Sequence, residues 1–373
     1  MTMLVLVIVI ALAFTYLNGF HDTANSIATV VATKVLTPRQ AVAMAAITNM
    51  IGALTGTAVA ATIAEGLVNA GVVHEGAFFL IGALAGACVW NLLTWWWGLP
   101  SSSTHALVGG LIGAALAASG NNFHSVIWWN ATGGHWWNAH GVVPKVIIPM
   151  IASPILGFFV AFVLMLGLYL TLRWCSRRKN WVNRLGRTPF VNAFFGKSQI
   201  VSSAVMGLSH GMNDAQKTMG IVALALAGAT ATGTFDHLPH WLSFLRINES
   251  PTGHFDVPSW VAVMCALVMA AGTAGGGWRI IKTLGHKMVR LHPINGFVAE
   301  TGSALVIIVS SLFGLPVSTT HVVSSAIMGV GSAKRTNAIR WSVVQRMIWA
   351  WILTLPITAV ISYAIGQGLA LLH

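Results

Sequence analysis

Charge is scarce in this sequence. Asp, Glu, Lys and Arg make up 8 % of its 373 residues, against about a quarter in soluble domains. Hydrophobic residues make up 56 %, and mean hydropathy is +0.76. A soluble fold of this length cannot hide so much apolar surface behind so few charges, so an all-α polytopic membrane protein is expected. Cysteine is scarcer still. Cys88, Cys175 and Cys265 stand alone, without the pairing of a disulfide framework or the spacing of a metal site. No base precedes the apolar run from Met3, so residues 3–14 read as the start of a first helix and not as a cleaved leader.

Twenty bases face only eight acids, an excess that would suit nucleic acid if it formed one patch. Instead the bases cluster at Lys34 and Arg39, from Arg173 to Lys197, from Arg279 to Arg290, and from Lys334 to Arg346. Each cluster lies where an apolar run stops, which is the positive-inside pattern of cytoplasmic loops. No nucleic-acid partner is expected. Runs able to cross about 30 Å of hydrocarbon lie near 3–33, 40–64, 77–119, 146–172, 198–228, 258–280, 294–333 and 342–371. The first would be roughly 46 Å long as one helix, and Asn18-Gly19-Phe20-His21-Asp22 is its expected break. The third and seventh runs turn at Gly-Leu-Pro and read as helical hairpins. With the N-terminus outside, 17 bases fall inside, Lys145 and Arg246 fall outside, and Lys217 falls within a span. The five acids beyond the spans (Glu65, Glu75, Asp236, Glu249, Asp256) are then all outer. Trp95–Trp97, Trp128-Trp129 and Trp136-Trp137 read as interfacial anchors. The 229–257 loop, with Asp236, His237, His240, His254 and Asp256, reads as solvated rather than metal-binding.

The chain repeats itself. Gly98-Leu99-Pro100-Ser101-Ser102-Ser103-Thr104-His105 recurs as Gly314-Leu315-Pro316-Val317-Ser318-Thr319-Thr320-His321, identical at six of eight positions. Upstream, the segment from Gly19 to Asn25 aligns with that from Gly211 to Lys217, sharing the Gly and placing Asp22 opposite Asp214. The expected architecture is two inverted-topology repeats, each with a broken helix and a Ser/Thr-tipped hairpin. They are divided as 1–172 and 198–373 around a basic linker at 173–197. Each half makes an odd number of crossings, the signature of a secondary transporter whose substrate sits where the repeats meet.

Three acids fall inside spans: Asp22, Asp214 and Glu300. A carboxylate in hydrocarbon is costly, and such residues face cavities and carry ions or protons. Each hairpin tip opens a helix with Pro and a run of hydroxyls, so backbone N–H and side-chain O–H groups converge as anion donors. Substrate candidates are therefore Ser102, Ser103, Thr104, Ser318, Thr319 and Thr320, with Asn25 and Lys217. Coupling-ion candidates are Asp22, Asp214, Asn25, Gln216 and Glu300. Lys217 falls where the first repeat has Asn25, so a fixed ammonium replaces a cation site in one half. It either pairs with Asp214 or binds the anion directly. His105 and His321 are candidate proton carriers beside the tips.

The stretch from Asn18 to Asn25 with Ser26-Ile27-Ala28-Thr29, the stretch from His210 to Lys217, and both Gly-Leu-Pro…Thr-His tips resemble the signatures of the inorganic phosphate transporter (Pit) family over nearly the whole chain. The Gly-Phe-His-Asp-Thr-Ala-Asn and Asn-Asp-x-Gln-Lys forms are similar to bacterial members that couple to protons and often carry metal–phosphate complexes. Ala299-Glu300-Thr301-Gly302 resembles instead an acidic motif of the sodium-coupled branch. The resemblance implies that Asp22, Asn25 and Asp214 are cation or phosphate ligands and that the tip hydroxyls contact phosphate.

The expected function is import of inorganic phosphate by cation symport across the bacterial cytoplasmic (inner) membrane, with a proton favoured. Alternatives are sodium coupling, a sulfate or other oxyanion permease, a passive channel, or a membrane-embedded phosphoesterase using His105 or His321. No His-Glu-x-x-His cluster or activated nucleophile is visible in the sequence, so no enzyme, resident metal or cofactor is expected. The partners expected are phosphate, the coupling cation and the bilayer, with a divalent cation travelling with phosphate and a homo-oligomer both left open.

Overall fold

The computed structural model describes residues 1–65, 67, 77–131, 139–177, 187–237, 239–247, 257–334 and 336–371. The expectations placed on Glu75, Trp136, Trp137, Glu249, His254 and Asp256 lie outside them. Helices in chain order are α1 (Thr2–Ala32), α2 (Pro38–Ala53), α3 (Ala58–Glu65), α4 (Ala77–Trp97), α5 (Ser103–Ala118), α6 (Ile148–Ser176), α7 (Thr188–Ala231), α8 (Ser259–Gly275), α9 (Trp278–Lys282), α10 (Pro293–Leu312), α11 (Thr319–Lys334) and α12 (Trp341–Ala370). One two-residue strand pair joins Asn130–Ala131 to Ala139–His140. Among the described residues five helices are long and apolar enough to cross a membrane, and α8 with the segment through Lys287, bent by 57°, has the length and composition of a sixth. The protein is an all-helical integral membrane protein.

The helix breaks are not where the sequence pattern put them. α1 runs unbroken through Asn18–Asp22, and α7 runs unbroken through His210–Lys217 for 44 residues, about 66 Å. Gly19 serves close packing instead: a Cβ there would collide with the Met269 carbonyl of α8. The polar side chains satisfy themselves on neighbouring segments without opening the helix. The breaks fall in the second helix of each half, between α2 and α3 at 54–57 and between α8 and α9 at Gly276-Gly277. α7 begins at Thr188, with Pro189 in its first turn, so helix covers the second part of the 173–197 segment.

Both hairpins form. α4 and α5 are joined by residues 98–102, α10 and α11 by 313–318. Gly98 and Gly314 each turn the chain at φ +65°, a left-handed conformation that costs a side-chain-bearing residue about 1–2 kcal/mol. Ser102 caps α5 by accepting from His105 N at 3.2 Å, and Ser318 caps α11 by accepting from His321 N at 3.3 Å. The closing helices cross over: α12 packs on α5, and α6 packs on α11.

Two apolar cores result. One gathers the first part of α1 through Phe14 with α4, α5 and α8; the other gathers α1 from Ala24 with α10, α11 and α12. Between them, α1 contributes a buried polar band of Thr15, Asn18, His21, Asp22 and Thr23. Trp96 and Trp97 are exposed as anchors should be. Trp95 departs from that role, its ring 5.1 Å from Phe20 and beneath the Arg279 guanidinium.

Candidate functional site

The polar band meets both tips. Asp22 accepts from Ser103 of the first tip at 2.7 Å and from Thr320 of the second at 3.2 Å. Asp214 on α7 accepts from Thr319 at 2.9 Å. Asn25 donates through Nδ2 to Thr320 at 3.0 Å and Thr319 at 3.2 Å. Lys217 donates to Asp214, to the Thr104 hydroxyl at 2.5 Å and to the Val317 carbonyl at 3.2 Å. The same relation holds in both halves. Each Asp binds the hydroxyl two positions before the His of its own half's tip, and the residue three positions on reaches the hydroxyl just before the His of the opposite tip. One helical turn separates Asp from that residue, which puts both on one face.

All of these groups are 2 % exposed or less, so a solute reaches them only if the surrounding helices move. Burial raises the stakes of every pairing, because an unpaired buried charge is costly. Lys217, 0 % exposed, is satisfied by three oxygens.

Two further histidines, His21 and His210, touch the carboxylates directly. His21 Nδ1 lies 2.8 Å from Asp22 Oδ1, with its Nε2 facing Thr94 at 3.2 Å and Ser101 at 3.3 Å. His210 Nε2 lies 2.8 Å from Asp214 Oδ2, and its Nδ1 lies 3.2 Å from Asn49 Oδ1. Asp22, His210 and Asp214 each bring one ligand atom within 4.8 Å of the others, a set able to hold a cation. His105 and His321 meet each other instead, ring centroids 4.6 Å apart, with His321 stacked on Trp351 at 4.1 Å.

Gln216 and Glu300 are buried but engaged elsewhere. Gln216 Oε1 accepts from Val59 N at 2.9 Å, at the start of α3. Glu300 accepts from Thr29, Ser202 and, at 3.3 Å, Gln199. It forms a second polar cluster one turn of α1 beyond Asn25. Ser102 and Ser318 act as helix caps, leaving Ser103, Thr319 and Thr320 as the hydroxyls at the carboxylates and Thr104 at the Lys217 ammonium.

The model of the phosphate transporter family matches residues 18–362. The chain belongs to that family. It is 40 % identical over 355 residues to a probable low-affinity inorganic phosphate transporter of Bacillus subtilis (strain 168), covering 95 % of this chain and 93 % of the relative. A probable low-affinity inorganic phosphate transporter of Rhizobium meliloti (strain 1021) is 41 % identical over 362 residues, with 96 % and 94 % covered. A solved sodium-dependent phosphate transporter superposes with a TM-score of 0.78 over the full length of both chains at 23 % identity, which shows the shared fold. This family member is a transporter and not an enzyme, and phosphate is its family's substrate.

Proposed function

We propose that the chain imports inorganic phosphate by cation symport, with a proton as the first choice of coupling ion and sodium the second. The observation that carries this reading is the convergence of three tip hydroxyls on two buried carboxylates, Ser103 and Thr320 on Asp22 and Thr319 on Asp214, with a fourth, Thr104, held by Lys217. Hydroxyls and the amides at the starts of α5 and α11 are donors for an oxyanion. Phosphate at neutral pH keeps a P–OH proton that needs an acceptor. Asp22 and Asp214 offer one and disfavour sulfate, which has no such proton.

The cycle takes phosphate from the outer side together with a cation that offsets carboxylate charge, and releases both inward as the two halves rock about the site. Inverted repeats 1–172 and 198–373 suit this motion, and the matched contacts in both halves support them. The positive-inside rule supports an N-terminus outside the cytoplasmic membrane. Carriage of phosphate as a metal complex and assembly as a homo-oligomer are compatible with the same site.

Phosphate counterflow in proteoliposomes, with excess sulfate or arsenate outside, tests the substrate. Labelled phosphate should enter phosphate-loaded vesicles, with block by arsenate, which has the same protonated oxyanion chemistry, and indifference to sulfate. Equal block by sulfate would turn the assignment to a general oxyanion permease.

A further inference from the structure

The two halves handle their carboxylates differently. In the second, Lys217 Nζ has three N–H donors, and all three are engaged by Asp214, the Thr104 hydroxyl and the Val317 carbonyl. None is left for a substrate anion in this arrangement. One carboxylate, one hydroxyl and one backbone carbonyl are the oxygen types that hold a hard metal cation, and here they hold an ammonium on its own tether. In the first half, the equivalent residue is Asn25. Its Nδ2 is spent on Thr319 and Thr320, while its Oδ1 is buried without a hydrogen-bond partner among the described residues. Among the described residues no Lys or Arg bonds Asp22, which touches His21 and accepts from Ser103 and Thr320, with His210 and Asp214 offering ligand atoms within 4.8 Å. The first half thus presents a carboxylate and a free carbonyl oxygen, and the second presents the same place filled.

We infer that the Lys217 ammonium is a built-in occupant of one of two equivalent cation sites, so that each transport cycle takes its mobile cation at Asp22, the carboxylate that carries no ammonium. This rests on the symport reading above and deepens it. It settles the choice between the two roles open to Lys217, counter-ion of Asp214 or direct anion ligand, in favour of the first. The ammonium also ties the tips together, since Thr104 belongs to the first and Val317 to the second. A mobile cation in that place would have to arrive and leave in every cycle, whereas the tethered one does neither.

The test compares Lys217→Ala, which opens a space at the oxygen ligands, with Lys217→Met, which fills it with an apolar chain. Both full-length variants are reconstituted, and phosphate uptake is measured with and without ammonium, sodium or potassium. Lys217→Ala should lose uptake by at least about tenfold and regain most of it in millimolar ammonium or sodium, while Lys217→Met regains none. Rescue of neither variant, or equal rescue of both, would overturn the inference, as would wild-type uptake in Lys217→Ala without added cation. If either variant fails to fold, the wild type decides. Its uptake should rise to first order in the coupling cation, and higher-order activation would show a second mobile cation. A wild type that moves no phosphate under any cation gradient would instead count against the symport reading itself.

Discussion

Thr283 donates its hydroxyl to the Gly98 carbonyl at 2.9 Å, and Thr62 donates to the Gly314 carbonyl at 2.7 Å. Each hairpin tip is therefore pinned by the second helix of the other half, just beyond that helix's break. The tips carry the site hydroxyls, so their seating and the site's geometry are the same problem.

Substitution at the tip glycines should follow the space around them. Both have φ +65°, but a Cβ on Gly98 would stand 3.4 Å from the Arg279 carbonyl, and one on Gly314 only 3.0 Å from that of Ala58. Each Gly→Ala change should cost about 1–2 kcal/mol from the left-handed backbone, with Gly314→Ala the more damaging. Thermal unfolding of the purified variants, ranked against wild type, checks the order.

Replacing Lys217 by Met leaves Asp214 buried without its ammonium, and breaking a buried pair in this way costs about 3–5 kcal/mol. Removing both charges with Asp214→Asn and Lys217→Met together should restore most of that stability, because no uncompensated charge remains. Transport should stay lost in the double variant. Denaturant unfolding read beside phosphate uptake separates the two effects.

Glu300 is held by Thr29, Ser202 and Gln199. Glu300→Gln keeps its shape and removes its charge, so the fold should persist while gradient-driven uptake falls about tenfold or more. Glu300→Ala should destabilise as well, by about 1–3 kcal/mol for each hydroxyl left without an acceptor. Equal uptake in wild type and Glu300→Gln would remove Glu300 from the coupling machinery.

Trp351 stacks on His321 and donates Nε1 to the Pro100 carbonyl at 3.1 Å, joining α12 to both tips. Trp351→Leu should lose about 0.5–1.5 kcal/mol of ring contact and slow uptake. His321→Phe, which keeps a ring on Trp351, should retain more stability than His321→Ala. Melting midpoints of the three variants give the comparison.

The meeting of tips and carboxylates was legible largely because the chain writes its motifs twice. Two Gly-Leu-Pro tips and two Asp residues with a polar partner three positions on specify a hydroxyl-and-carboxylate centre before any coordinates. The helix breaks were not legible. Asn18-Gly19 looks like an interruption, yet Gly19 is there for close approach to α8, and that need is tertiary. The pairing of His21 with Asp22 was not legible, because residues at i and i+1 on a helix do not normally face each other, and the ring is held where Thr94 and Ser101 lie. Gln216 sits beside Lys217 in sequence but turns to α3, since neighbouring helical positions point about 100° apart. The exchange of α6 and α12 between halves leaves no mark in hydropathy, because a lipid-facing helix reads the same against either hairpin.

The most direct measurement is labelled phosphate uptake into sodium-free proteoliposomes under an inward proton gradient. Accumulation above equilibrium that collapses with a protonophore is the expected result. Uptake that never exceeds equilibrium under a proton or a sodium gradient would contradict symport through this site.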